Sequence, residues 1–125
     1  MIGFTASGFD LLHAGHIEML RECKDNCDYL IVGLNLNPTK KVTIQSAMER
    51  YIQISACKYV DEVIPYESEK DLENLLLLRP IDVRFLGDDY RWRGYTGVNL
   101  DIDIHYNNRE HGFSTSELKD RCKKN

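Results

Sequence analysis

Hydrophobic and polar positions fall into short blocks whose period changes along the chain, so that strand-like runs alternate with helix-like ones. Ile2 to Thr5 is a brief apolar run that reads as a first strand. Ala6 to Leu12 comes next as a turn, with small residues at Ala6, Ser7 and Gly8. A helix is predicted from about Gly15 to Asn26, because Ile17, Leu20, Cys23 and Cys27 recur on one stripe. "DYLIVGLN", from Asp28, is the continuous apolar run of a strand covered on both faces. Strand, helix and strand in this order make a βαβ unit.

The alternation continues downstream. Residues 36–45 form a polar loop carrying Pro38, Lys40 and Lys41. Ser46 and Glu49 have the spacing of a capping box and open a helix to about Lys58. "VDEVIP" holds a third short strand, stopped by Pro65. Ser68 with Asp71 starts a third helix, which ends before Pro80. "IDVRFLG" is a fourth strand, residues 88–100 are an aromatic and glycine-rich loop, and "DIDIHY" alternates as a fifth strand. Ser114 with Glu117 opens the last helix. The expected fold is α/β: one domain, residues 1–125, built on a doubly wound parallel sheet of the Rossmann-like kind. Such sheets bind ligands beyond the carboxyl ends of their strands. The segments predicted there are SGFDLLHAGH, LNPTKK, GDDYRWRG and NNREHGFSTS.

Composition removes several classes of function. A chain of 125 residues fits one domain and buries a core without disulfides. The longest apolar run, Leu75 to Leu78, is far too short to span a bilayer. No basic segment precedes the first strand, so no signal peptide is expected and the expected compartment is the cytoplasm. The net charge of −4 argues against a nucleic-acid partner, which calls for a basic surface. A small anion needs only a few local cations and stays open. Cys23, Cys27, Cys57 and Cys122 form no CxxC pair and no zinc pattern, and read as reduced thiols.

The candidate chemistry starts at His13 and His16. Three residues apart, they share a face at a predicted helix start, where exposed N–H groups and the macrodipole attract anions. Gly15 between them leaves room for a ligand close to the backbone. Two imidazoles there suit phosphate oxygens whose charge rises during in-line displacement. The alternative is a pair of incidental surface histidines, one of them an N-cap. No HExxH, GxxxxGK[ST] or GxSxG is present. Asp88 and Asp89 are adjacent carboxylates that need a partner, either a cation, a ribose hydroxyl or a backbone donor, or else they belong to a turn. Arg109 suits a bidentate phosphate clamp, and Ser114 either caps the last helix or joins its free N–H groups at a phosphate.

"GFDLLHAGH" resembles the HxGH signature of the nucleotidylyltransferase superfamily, and within it the small cytidylyltransferases that act on glycerol 3-phosphate. The resemblance continues through "DYLIVGLN", "ER" at Glu49–Arg50, "KYVDEVIP", "IDVRFLGDD" and "REHGFSTSELK", and so covers nearly the whole chain. It implies an enzyme, a nucleotidyltransferase moving CMP from CTP to a small phosphorylated acceptor with release of pyrophosphate. The alternatives are adenylyl transfer from ATP on the same scaffold, or a nucleotide-binding module without catalysis. The resemblance assigns His13 and His16 to the triphosphate and transition state, and Asp10 to orienting the site. Among the catalytic and substrate-binding positions it places Lys40 or Lys41, Arg50, Asp88, Asp89, Arg109, Gly112, Ser114 and Thr115, and, as substrate-binding residues of the signature turn, Ser7, Gly8, Phe9 and Gly15. It also implies a homodimer. Mg²⁺ is expected with the triphosphate, whose charge it offsets while binding few protein ligands.

The sequence departs from the pattern in three places. Ser7–Gly8 stands where the family has Gly-Thr, and Glu110 where threonine comes after the arginine. "YRWRGYTGVN" is richer in arginine and aromatic residues than the family stretch after GDD. Arg91 and Arg93 there suit an acceptor phosphate with Trp92 as its cover, or else a dimer surface.

Overall fold

A computed structural model describes residues 1–38, 42–107 and 115–123. The strands are β1 (Ile2–Ser7), β2 (Tyr29–Asn35), β3 (Glu62–Tyr66), β4 (Val83–Gly87) and β5 (Asp103–Asn107), and the helices are α1 (Ala14–Asp25), α2 (Ala47–Ser55), α3 (Glu69–Leu78) and α4 (Thr115–Cys122). They make one five-stranded sheet in the order β3-β2-β1-β4-β5, with every neighbouring pair parallel. This is the doubly wound α/β arrangement expected from the sequence, with its switch point between β1 and β4.

Two clusters sandwich the sheet. On one face Leu20 and Cys23 of α1 and Ile54 of α2 pack with Leu30, Val32, Leu34, Val83 and Phe85. On the other, Leu72, Leu75 and Leu76 of α3 cover Phe4, Ile31 and Tyr66. β2 supplies both faces, which is why it reads as an unbroken apolar run. No α-helix joins β4 to β5. A 3-10 turn, Asp88–Trp92, leads into an irregular segment whose Leu100 and Ile102 complete the second cluster. Arg84, 5% exposed on β4, fastens that segment: its Nη1 donates to the Thr96 carbonyl and its guanidinium lies 5.3 Å from the Tyr95 ring.

Several boundaries differ from the sequence reading. β1 runs on past Thr5 because Ala6 and Ser7 pair with Gly33 and Leu34. α2 ends at Ser55, capped by Ala56, rather than near Lys58. The start of the predicted 88–100 loop is the 3-10 turn, and β5 begins at Asp103. Both expected caps within the described residues form: Ser46 Oγ accepts from Glu49 N, and Ser68 Oγ from Asp71 N.

The register explains where a ligand can sit. β1 pairs with β2 from Ile2↔Tyr29 through Ser7↔Leu34, but with β4 only at Gly3↔Val83 and Phe4↔Arg84. Beyond Phe4 the two central strands part. The sheet therefore opens at the carboxyl ends of β1 and β4, beside the first turn of α1.

Candidate active site

The turn from β1 into α1 is held in an uncommon backbone shape. Phe9 and Leu11 have φ of 50° and 52°, the left-handed region that non-glycine residues seldom occupy. Each deviation is matched by a contact. Phe9 is 2% exposed and drives its ring into the core, 5.7 Å from the ring of His16. Leu11 N donates to Gln45 Oε1 at 2.7 Å. Between them, both oxygens of Asp10 accept backbone N–H groups, from Ile44 at 2.9 Å and Gln45 at 3.0 Å. Partial burial pushes the Asp10 carboxyl up, but these two donors, helped by Lys119 and Arg50, hold it below the ordinary range. Asp10 thus braces the turn after β1 against the entry to α2.

His13 is the N-cap of α1. Its Nδ1 accepts from Gly15 N at 3.0 Å, while His16 Nδ1 accepts from His13 N at 3.1 Å, a capping box built from two imidazoles. The sequence reading leaves an N-cap and a phosphate site as alternatives; the capping is observed. An Nδ1 that accepts a backbone N–H carries no proton. The hydrogen-bond network therefore assigns each neutral ring its proton on Nε2, which makes Nε2 a donor. The rings lie with centroids 4.0 Å apart at the positive end of α1. Gly15 is buried between them.

Arg50 departs from expectation. The resemblance places it among the substrate-binding positions. It is 1% exposed, and its guanidinium donates to the carbonyls of Gly8 at 2.9 Å, Asn35 at 2.7 Å and Leu36 at 3.1 Å. Its Nε is buried without a partner among the described residues. Arg50 thus ties α2, the end of β2 and the turn after β1 together from below. Its spacing of four from buried Ile54 is the available signal, since i and i+4 share a helix face.

Asp88 and Asp89 have found cations of their own. Asp88 bonds Arg91 Nε, and Asp89 lies 3.4 Å from Arg93. The same arginines sit 4.3 Å from the Tyr106 and Tyr90 ring centroids. Trp92 is 90% exposed. Ser7 and Gly8 lie at the end of β1, and Thr115 is the first residue of α4. Lys40, Lys41, Arg109, Gly112 and Ser114 lie outside the described residues. Gln45 escapes the sequence reading, because nothing local marks a loop glutamine as the partner of Leu11.

Among the described residues no three His, Cys, Asp or Glu side chains group to hold a metal ion. Asp10 spends both oxygens on backbone donors and Asp88 is engaged by Arg91. These residues do not fit a protein-built metal cage. The buried Cys23 thiol is pushed strongly upward in pKa by desolvation, which keeps it protonated and inert.

Residues 4–121 match the model of a family described as cytidylyltransferase-like. The chain belongs to that family. Members near it in sequence include glycerol-3-phosphate cytidylyltransferase of Bacillus subtilis (strain 168), 34% identical over 93% of this chain and 92% of that one. The bifunctional protein HldE of Campylobacter jejuni (strain RM1221) is also 34% identical, over 98% of this chain. The chain spans only 28% of the length of that relative. A solved structure, the lipopolysaccharide core biosynthesis protein from Thermoplasma volcanium GSS1, superposes with a TM-score of 0.74 at 25% identity, covering 87% of this chain and 97% of that one. The family match covers nearly all of this chain. No helix among its described residues is long and apolar enough to cross a membrane.

Proposed function

We propose that the enzyme transfers a cytidylyl group from CTP to a small phosphorylated acceptor of the glycerol 3-phosphate kind. One observation carries the reading: the His13–His16 capping box, which engages both Nδ1 atoms with backbone N–H groups and so leaves each neutral ring's proton on Nε2, at a helix N-terminus beside the open seam of the sheet. Similarity along nearly the full length of the Bacillus subtilis cytidylyltransferase supports the base and the acceptor class.

In this reading a phosphate oxygen of the acceptor attacks the α-phosphorus of CTP. The new O–P bond forms as the bond from the α-phosphorus to the bridging oxygen breaks, and pyrophosphate departs with that electron pair. Negative charge builds on the non-bridging oxygens and on the leaving group. The two imidazoles donate hydrogen bonds there, and they need not reorient because the backbone already fixes both rings. Mg²⁺ accompanies the triphosphate as its counter-ion and is assigned no ligand from the described residues.

The test is Mg²⁺-dependent pyrophosphate release with CTP, ATP, GTP and UTP, each against a panel of phosphorylated alcohols, sugars and amines. Release with CTP and one acceptor supports the reading and names the product. Release with ATP alone keeps the chemistry and replaces the base. Nucleotide binding by folded protein without release from any pair overturns it.

A further inference from the structure

We propose that Gln45 is a positioning residue for nucleotidyl transfer, acting through the turn that sets the histidine pair. The proposal rests on the reading of His13 and His16 as the groups that polarise the nucleotide's phosphates.

The turn is strained. Phe9 and Leu11 both hold positive φ within three residues, a conformation unfavourable for non-glycine residues unless their surroundings impose it. Phe9 is imposed by burial of its ring. Leu11 is only partly buried, and the hydrogen bond from its N–H to Gln45 Oε1 is the polar contact that holds it.

Gln45 closes a ring of contacts. Its backbone N–H donates to Asp10 Oδ1 and its side-chain oxygen accepts from Leu11 N. Adjacent residues of the turn are thus gripped by one residue from each direction. Asp10 can brace the turn through any residue but proline at position 45, since it uses only the backbone N–H there. The Leu11 contact depends on the glutamine side chain.

The conformation of Leu11 bears on catalysis through His13, two residues on. His13 is the N-cap whose own N–H supplies the proton accepted by His16 Nδ1. If Leu11 relaxes toward ordinary negative φ, the chain entering His13 rotates. Both Nδ1 contacts then lengthen together, and with them goes the bias that keeps the protons on Nε2. Gln45 also stands next to Ser46, the N-cap of α2. The first turns of two helices are therefore linked through this side chain, alongside the Asp10 and Arg50 contacts.

The experiment compares Gln45→Met, which keeps the length and removes the acceptor, with Gln45→Glu, which keeps an acceptor oxygen. Steady-state pyrophosphate release is expected to show Gln45→Met with kcat reduced about tenfold or more and the nucleotide KM changed less than about threefold, because the donors matter most in the transition state. Gln45→Glu is expected to recover a substantial part of kcat. Imidazole ¹⁵N spectra are read on the same proteins. Wild type and Gln45→Glu should show both rings as the Nε2–H tautomer, and Gln45→Met a mixture. Wild-type kcat in Gln45→Met, or unchanged ring tautomers in that variant, overturns the proposal. If the wild type itself releases no pyrophosphate, the functional reading fails while the spectra still decide whether Gln45 sets the rings.

Discussion

Replacing Arg50 by Met removes the guanidinium and keeps an unbranched apolar stem, so the perturbation falls on the three carbonyls it serves. Hydrogen bonds to a charged group contribute about 1.5–3 kcal/mol each, and a buried acceptor left unmet costs about 1–3 kcal/mol. Against this, the variant no longer buries a cation whose Nε lacks a partner among the described residues, which returns part of the loss. The net expected destabilisation is about 3–5 kcal/mol, the range for breaking one side of a buried charged arrangement. For a chain of 125 residues the unfolding entropy is about 0.26 kcal/mol/K, from about 2.1 cal/mol/K per residue, so the melting temperature should fall by roughly 11–19 °C. Thermal unfolding monitored by circular dichroism reads this directly. Arg50→Lys should fall between, since one ammonium cannot serve all three carbonyls with a planar fork. A Met variant melting within about 4 °C of wild type refutes the account of Arg50 as a strut. If such a variant also lost nucleotide affinity, Arg50 would be the substrate contact that the family resemblance implies.

The remaining predictions concern the histidines and an ion pair at the sheet edge. His16→Ala should lower turnover by about 10²–10³-fold, the effect of losing one preorganised donor, while circular dichroism stays native; unchanged turnover would remove His16 from the mechanism. The Glu62 carboxyl is held down to about 2 from its ordinary 4.5, first by the Arg79 guanidinium at 2.7 and 2.9 Å and then by the Tyr29 hydroxyl. Its folded value lies below its unfolded one, so its contribution is present above about pH 4.5 and disappears as pH falls toward 2. Urea midpoints for wild type and Glu62→Gln should therefore differ at about pH 6 and converge toward about pH 2, and a constant gap would refute the assignment.

The parts of the fold set by local pattern are legible in the sequence. The covered strand β2, the α2 cap at Ser46 and the stop before Pro80 all derive from periodicity, capping chemistry and proline sterics. The features that escape it depend on partners distant in the chain. Arg50 takes its carbonyls from residues 14, 15 and 42 positions away, and Gln45 meets Leu11 across 34. Phe9 reads as a substrate contact because it sits in the signature, yet the turn inverts there and sends its ring inward. The Asp88–Arg91 and Asp89–Arg93 pairs, by contrast, are spaced three and four apart, a separation visible in sequence but overshadowed by the expectation of a ligand.

The brief register between β1 and β4 has a meaning for the chain as a whole. Everything up to Tyr66 contributes the β3-β2-β1 side of the sheet, and everything from Val83 to Asn107 the β4-β5 side. The seam therefore divides the sheet where the chain itself divides, into an early half and a late half joined edge to edge over a short ladder. A molecule resting across it acts as a splint, and its free energy of binding adds to that of folding. Substrate occupancy and the integrity of the fold then become one thermodynamic quantity measured in two ways.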